Sequence, residues 1–244
     1  MRGWSTSGMI HALTKCHNVD SFTIIIGEFF GTGTASRPRL IQARSLDIGG
    51  TFSGDQYQGI ELLNSLIATQ LKSLTLRKLG GIRWKLSLLD FISRSQCPLR
   101  TLTLHDIPID QHLLQLLSLV PTLISLTMEI YSNIDDTLLN GLVATPELSI
   151  SPRLQQFDLV CHYRQTENRH LDNTVPRILA MAESRLRPSS SVESLERFSV
   201  KYEVLASSGW DLNSESLLRL QRLNETGMKA SIKVVDSFHK LRYR

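Results

Sequence analysis

Residues 105–112, HDIPIDQH, are the first place in the sequence where catalysis is worth considering. They bring together two histidines and two aspartates, the groups that perform general acid–base catalysis in enzymes. Asp110 stands at the N-cap position of the helix that should follow, so we interpret the acids as turn and capping groups. The sequence holds no GxSxG, HExxH or phosphate-loop motif. It therefore predicts a protein that has no catalytic residues and is not an enzyme.

Residues 161–170, CHYRQTENRH, raise the question of metal binding because they group Cys161, His162 and His170. A zinc site needs about four ligands, which usually come as closely spaced pairs. No second pair lies nearby in the sequence. We interpret the stretch as a loop with a buried Cys161, and we predict no metal site.

Residues 27–38, GEFFGTGTASRP, contain Gly31 and Gly33 directly after an apolar run. In a dinucleotide-binding fingerprint the glycines must open a helix. Here Ser36, Arg37 and Pro38 follow, with no helical pattern behind them. The stretch therefore predicts an ordinary loop, and no cofactor is expected.

The charges are spread along the chain, and 27 basic and 23 acidic residues give a net charge of +4. Nucleic-acid-binding proteins usually concentrate their basic residues in one stripe, so we expect no nucleic-acid partner, although a mild basic excess suits an acidic partner. No run approaches the roughly 20 apolar residues that span a bilayer, and no signal peptide is visible. We expect a monomeric, intracellular protein of the cytoplasm or nucleus that does not bind membranes.

The three cysteines, Cys16, Cys97 and Cys161, are too few and too far apart for a disulfide framework. Sparse, odd-numbered cysteines are typical of a reducing compartment. Cys16 and Cys97 each lie shortly before a predicted strand. We predict that all three are small buried apolar groups.

A six-residue pattern, apolar-x-x-apolar-x-apolar, recurs along the chain. Successive copies begin 24, 28, 28, 24, 31 and 41 residues apart, and the first four steps are in or near the range of leucine-rich repeats. Alternation of leucine with serine or threonine is typical of a short strand that is buried on one face. The copies are VDSFTI from Val19, ARSLDI from Ala43, LKSLTL from Leu71, LRTLTL from Leu99, LISLTM from Leu123, LQQFDL from Leu154 and LERFSV from Leu195.

The second half of each repeat has helical periodicity. Apolar residues recur there at the spacing of one helix face, and Pro121 and Pro146 follow two of the helices as stop signals. Pro176 is tolerated if it lies in the first turn of its helix. The predicted core-facing residues are Ile60, Leu63 and Ile67; Leu88, Phe91 and Ile92; Leu113, Leu116, Leu117 and Val120; Leu138, Leu139 and Leu142; and Val175, Ile178, Leu179 and Ala182.

Strand-loop-helix repeats predict an α/β fold, namely a leucine-rich-repeat solenoid (horseshoe) of about seven units with a parallel concave sheet. One unit cannot bury its apolar face alone, so stacked units must share a core. We expect residues 1–244 to form a single domain. Residues 1–18 should form a partial leading unit or cap, with Met9, Leu13 and Cys16 on one face. A surface loop is expected at 184–194. The chain should then form a helix at 217–223 ended by Gly227, a last strand at 230–235 and a tail at 236–244.

Two stretches resemble basidiomycete F-box and leucine-rich-repeat proteins, the first their repeat region and the second their C-terminal end. They are residues 88–128, LLDFISRSQCPLRTLTLHDIPIDQHLLQLLSLVPTLISLTM, and residues 217–234, LLRLQRLNETGMKASIKV. The resemblance implies a fungal protein whose repeats recruit a substrate, while a separate N-terminal F-box docks onto a cullin-type ubiquitin ligase through its adaptor. Residues 1–18 are too short to be an F-box, so the adaptor is an expected partner only if an F-box exists upstream.

Strand side chains that point away from the core should line the concave face, which solenoids use for binding. We therefore predict non-catalytic protein recognition, by the substrate-binding repeat region of an F-box-type ubiquitin-ligase subunit. The alternative is a free-standing scaffold or a degenerate family member with no ligase link. The predicted partner-binding residues are Arg77, Thr103, His105, Thr127, Glu129, Asp158 and Lys201.

Overall fold

The chain is an α/β protein that divides into two compact units. The first unit comprises Met1–Ile107 with Gln115–Val120, and the second comprises Pro108–Leu114 with Pro121–Arg244. The single domain expected from the sequence stays a prediction. The computed structural model describes residues 6–16, 19–26, 37–50, 57–78, 83–106, 111–131, 134, 136–145, 150–163, 168–186, 192–204 and 212–236. In these ranges no helix has both the length and the apolar character needed to cross a bilayer.

The first unit is built from helices and parallel strands. Its elements are α1 (Thr6–Lys15), β1 (Ser21–Ile26), β2 (Arg39–Leu40), β3 (Ser45–Gly50), α2 (Tyr57–Asn64), β4 (Leu66–Ile67), β5 (Ser73–Arg77), α3 (Arg83–Ser95) and β6 (Thr101–His105); α4 (Gln111–Ser118) contributes residues to both units. Strands β1, β3, β5 and β6 pair in that order and are all parallel, and β2 pairs with β4 in a separate parallel sheet. Helix α2 packs against α1 and α3.

In the second unit, strands and helices alternate along the chain. Its elements are β7 (Ser125–Ile130), α5 (Asp136–Leu142), β8 (Gln156–Tyr163), α6 (Asn168–Ser184), β9 (Arg197–Val204), α7 (Ser214–Glu225) and β10 (Lys229–Asp236). Strands β7 to β10 pair in chain order and are parallel. Helix α6 packs against α5 and α7. The predicted last helix and last strand are confirmed, and Gly227 follows the helix with a left-handed φ of 94°.

Within each unit the strands pair in the register that the six-residue pattern predicts. The steps of 24, 28, 28, 31 and 41 residues recur as the offsets between paired residues of neighbouring strands. Corresponding positions of the repeat therefore lie side by side. The first strand residues aligned in this way are Ser21, Ser45, Ser73 and Thr101 in the first unit, and Ser125, Gln156, Arg197 and Lys229 in the second.

One backbone hydrogen-bond pattern recurs just before the strands of both units. The carbonyl of Lys72, the residue before β5, accepts hydrogen bonds from Arg100 N at 2.8 Å and from Thr101 N at 2.9 Å. These two donors lie at the start of β6, the neighbouring strand. A carbonyl oxygen can accept both because it has two lone pairs. The carbonyls that accept such a pair belong to Asp20, Arg44, Lys72, Ile124 and Gln155.

The helix faces predicted for α3, α4, α5 and α6 are confirmed, because every residue named for them is buried. The leading helix differs from the prediction. In α1 the buried residues are Ile10 and Leu13, whereas Cys16 is exposed because the helix ends at Lys15 and Cys16 lies beyond it. The predicted face through Met9 and Cys16 and the predicted burial of Cys16 were therefore wrong. Cys97 and Cys161 are buried as predicted.

Two other predicted helix positions lie elsewhere. Helix α2 ends at Asn64, so Ile67 is a residue of strand β4 rather than of a helix. Helix α6 begins at Asn168, so Pro176 lies in its interior and not in its first turn. A proline there lacks the N–H that would bond four residues back, yet the helix runs on to Ser184.

The loop predicted at residues 161–170 is regular structure at both of its ends. Residues 161–163 complete strand β8, and residues 168–170 open helix α6. The strand is longer than the six-residue pattern indicates because the alternation of buried and half-buried side chains continues past Leu159. Predictions for Asp110, for Gly31 and Gly33, and for the tail after Asp236 lie outside the described residues.

Arg185 lies in the stretch expected as a surface loop, and it is fully buried. Its guanidinium donates hydrogen bonds to the carbonyls of Leu142 at 3.0 Å, Ile150 at 2.8 Å and Ser151 at 3.2 Å. Burial lowers the pKa of Arg185 to about 10. The side chain thus secures the connection between α5 and β8, where the repeat step lengthens to 31 residues.

Candidate protein-binding face

Each unit has a polar face, which we define as the side of the sheet carrying the strand residues that alternate with the buried ones. In β5, for example, Leu74 and Leu76 are fully buried, whereas Ser73 and Thr75 are partly exposed. The alternation arises because successive strand side chains point to opposite sides of the sheet. All seven predicted partner-binding residues lie on a polar face, three of them in the first unit and four in the second.

On the polar face of the first unit, Arg77 forms a two-pronged ion pair with Asp47 of the neighbouring strand. Arg77 Nε lies 3.1 Å from Asp47 Oδ1, and Arg77 Nη2 lies 3.0 Å from Asp47 Oδ2. His105 pairs with Arg77 across β5 and β6, and Thr103 pairs with Thr75 one step earlier. The Arg77 side chain is half exposed, at 50%, so the pair fixes its direction and leaves it accessible to a partner.

On the polar face of the second unit, two carboxylates flank the imidazole of His162. Its Nε2 lies 2.9 Å from Glu129 Oε1, and its Nδ1 lies 3.2 Å from Glu203 Oε2. Both ring nitrogens therefore lie within hydrogen-bonding distance of a carboxylate oxygen.

Tyr131 covers this cluster with its ring. The rings of Tyr131 and His162 stack with centroids 4.2 Å apart and planes 8° apart, and the Tyr131 hydroxyl donates to Glu129 Oε1 at 3.2 Å. Tyr131 nevertheless stays exposed. It therefore presents an aromatic surface whose orientation is fixed by two neighbours.

Two further ion pairs connect the predicted residues of the second unit. Asp158 accepts a hydrogen bond from Arg197 of the adjacent strand, and Lys201 donates to Glu203 two residues along β9. Glu203 also faces His162, so Lys201 belongs to the same charged cluster as Glu129. Thr127 pairs with Asp158 in the register of β7 and β8.

An open cleft of about 550 Å³ lies at the amino-terminal end of these strands in the second unit. All of its lining residues except Ala230 have polar side chains, and they include the ion pair of Asp158 and Arg197. Asn224 holds one wall in place, because its side chain accepts a hydrogen bond from Ala230 N at 3.1 Å and donates to Ala230 O at 3.0 Å. The remaining lining residues are Ser199, Lys229 and Ser231.

The predicted partner-binding residues did not include Asp47, Tyr131, His162 and Glu203, and the sequence raised His162 only as a candidate metal ligand. Asp47 occupies the same alternate position of its strand as Thr75, so the repeat itself was a signal for it. His162 and Glu203 lie beyond the six-residue pattern, on the parts of β8 and β9 that extend it. Continuing the alternation by two or four residues would have placed both on the polar face.

The described residues contain no group of three or more histidine, cysteine, aspartate or glutamate side chains arranged to hold a metal ion. Comparison with protein-family models, with curated proteins and with solved structures gave no match to this chain. The resemblance of residues 88–128 and 217–234 to F-box and leucine-rich-repeat proteins therefore stays a prediction.

Proposed function

We propose that this chain is a leucine-rich-repeat solenoid whose strands line a concave polar face, and that it works by holding another protein there. The observation that carries the proposal is the charged and aromatic cluster of Glu129, Tyr131, His162, Lys201 and Glu203. These side chains come from three adjacent strands or their ends, and they fix one another's directions. No bond is made or broken in this function.

The solenoid is supported by the regularity of the backbone within each unit. The strands of neighbouring repeats are paired in register. In both units, the carbonyl just before a strand accepts two backbone hydrogen bonds from the start of the neighbouring strand. Each β7-to-β10 connection passes through a helix, as a strand-loop-helix repeat requires. A stack of strand-loop-helix repeats exposes its alternate strand residues as one extended surface.

Binding is supported by the restricted conformations of the polar side chains, which would lose little conformational entropy when a partner binds. Immobilising a flexible side chain at an interface costs about 0.5–1.5 kcal/mol, and side chains already held by neighbours avoid much of that cost. Arg77 is fixed by Asp47, and Tyr131 is fixed by Glu129 and His162. Tyrosine and arginine are also the residue types that most often dominate binding energy.

For the cellular role, we propose the substrate-binding repeat region of an F-box-type ubiquitin-ligase subunit. The support is the resemblance of residues 88–128 and 217–234 to that family. The second candidate is a free-standing scaffold, which the same polar face would serve equally well. Both roles need a protein partner on the polar face, and they differ only in whether ligase components accompany it.

Affinity capture with quantitative mass spectrometry tests the binding function. Tagged wild type is compared in native cells with Tyr131→Ala/Lys201→Ala on the polar face and with Leu218→Ala/Arg222→Ala, two exposed changes on α7. We expect wild type and the α7 variant to recover the same partner, and the polar-face variant to recover about tenfold less. Equal recovery by both variants, with both folded by circular dichroism, would remove the polar face from the binding function.

The same capture separates the two cellular roles. Recovery of a cullin and its adaptor together with the partner supports the ligase role. Recovery of the partner without ligase components supports the scaffold and eliminates the ubiquitin role. A ligase adaptor that is lost in the polar-face variant but kept in the α7 variant would contradict the assignment of that face to the substrate.

A further inference from the structure

Strands β9 and β10 carry two pairs of like charges on the polar face of the second unit. Arg197 pairs with Lys229 in the strand register, and Lys201 pairs with Lys233 four residues further along. Neighbouring strands lie about 4.8 Å apart, so each pair places two cations side by side. Like charges directly opposite each other destabilise a sheet, and they persist where something neutralises them.

In the described part of the chain, carboxylates form ion pairs only with the β9 member of each pair. Asp158 holds Arg197, and Glu203 holds Lys201. Among the described residues, no carboxylate forms an ion pair with Lys229 or Lys233, and both lysines are exposed. We call Arg197, Lys201, Lys229 and Lys233 the cationic patch. After its two carboxylate partners are counted, this patch keeps an excess of two positive charges, both on β10, the last strand in the pairing order of this unit.

Two serines lie between the paired cations. Ser199 pairs with Ser231, and their hydroxyl oxygens lie 3.4 Å apart. The cleft of about 550 Å³ opens over this serine pair, Arg197 and Lys229. Two strand residues span about 6.6 Å, so the cations before and after the serines recur at about 13 Å along each strand.

We propose that this patch binds an extended acidic segment of the partner protein, running along β9 and β10 with its carboxylates on Lys229 and Lys233. An extended segment places every second side chain on one side and spans about 13 Å in four residues, so acidic residues four apart face Lys229 and Lys233 while the serine hydroxyls bond its backbone. The proposal rests on the proposed function, and it adds the chemical class of the segment and its location.

Edge lysines also have a structural role, since they discourage a terminal strand from pairing with another chain. That role needs charge at the edge but no ligand. The two roles differ in a direct binding measurement made on variants that remain monomeric.

Fluorescence anisotropy with a short labelled peptide of alternating threonine and aspartate provides that measurement. The full chain is titrated at low ionic strength as wild type, as Lys229→Gln/Lys233→Gln and as Lys229→Arg/Lys233→Arg. A control, Lys15→Gln/Lys72→Gln, makes the same change in net charge at two exposed lysines of the first unit. Light scattering verifies that each variant is monomeric.

We expect the peptide to bind wild type, the arginine variant and the control alike, and the glutamine variant to bind about tenfold more weakly. A matched peptide with asparagine in place of aspartate should bind no variant. Equal binding of the glutamine variant and wild type would overturn the proposal, and so would equal binding of the asparagine peptide. Tighter lysine-dependent binding of a single-stranded oligonucleotide than of the peptide would overturn it in favour of a nucleic-acid site.

The capture experiment distinguishes failure of this inference from failure of the proposed function. If the polar-face variant loses the partner but Lys229→Gln/Lys233→Gln retains both the partner and the peptide, the acidic-segment proposal fails and the proposed function stands. If no polar-face change affects capture, the proposed function fails as well.

Discussion

The two units share one backbone repeat but differ in the chemistry that they present. On the first unit's polar face, serine and threonine predominate among the described residues, and Arg77 forms a cross-strand ion pair with Asp47 while its side chain stays half exposed. On the second unit's polar face, cations, carboxylates and the His162 imidazole form linked pairs whose side chains are mostly covered. The repeat therefore specifies where a side chain points, while the residue placed there specifies what the surface can bind.

The units also differ in how their connections are stabilised. In the first unit, successive repeats from β3 to β6 step by 28 residues, and leucine or isoleucine fills the aligned buried positions. In the second unit the steps lengthen to 31 and 41 residues, and the buried Arg185 occupies the junction of α5, α6 and β8. Longer connections bring extra backbone carbonyls into the interior, and a guanidinium with five donors can satisfy several of them at once.

Replacement of Arg185 should have the largest effect. Arg185→Leu leaves the carbonyls of Leu142, Ile150 and Ser151 without this donor, and an unsatisfied buried acceptor costs about 1–3 kcal/mol. We expect the free energy of unfolding to fall by about 4 kcal/mol in urea titrations. Arg153→Leu, at an exposed ion pair with Glu193, is the control and should cost less than about 1 kcal/mol. Similar losses in the two variants would contradict the buried role of Arg185.

The thiols should differ strongly in reactivity. Burial raises the pKa of the Cys97 thiol to about 11, and burial also raises the pKa of Cys161. A higher pKa means less thiolate at pH 8, so alkylation of both should be at least about 100-fold slower than that of the exposed Cys16. In native protein we expect one fast thiol, which Cys16→Ser removes, and three in urea. Two fast thiols in native protein would contradict the burial of either Cys97 or Cys161.

Loss of His162 should have a smaller effect on stability. His162→Ala removes a group that faces Glu129 and Glu203, and it leaves two carboxylates near each other in a partly covered site. We expect a loss of about 1 kcal/mol in the free energy of unfolding. Arg77→Ala, at the half-exposed pair of the first unit, should cost about 0.5 kcal/mol. A larger loss for Arg77→Ala would reverse the comparison between the two polar faces.

Much of the fold could be predicted because its signals are local. The six-residue pattern predicted the strands and their register within each unit, since a one-residue slip would move every leucine to the wrong side of the sheet. Helical periodicity predicted the buried faces of α3 to α6 for the same reason. Cys16 was misplaced because the helical pattern did not show where α1 ends, and helix ends depend on local capping.

The clusters could be predicted only in part because they join residues that are far apart in the sequence. Glu129, His162 and Glu203 meet because the steps of the repeat are 31 and 41 residues and because β8 and β9 run past the pattern. The burial of Arg185 depends on three carbonyls from other segments. Hydrophobic periodicity carries no information on such contacts, and a lone arginine in a serine-rich stretch is more typical of a surface.

Site-specific photo-crosslinking in native cells tests the central claim most directly. A benzophenone side chain is introduced at Thr103 or Thr127 on the polar faces, and at Gln115 or Glu225 on exposed helix positions. The proposed function predicts that the polar-face positions form a covalent adduct with one and the same partner protein, and that the helix positions form none with it. Adducts from the helix positions alone would contradict recognition by the polar face.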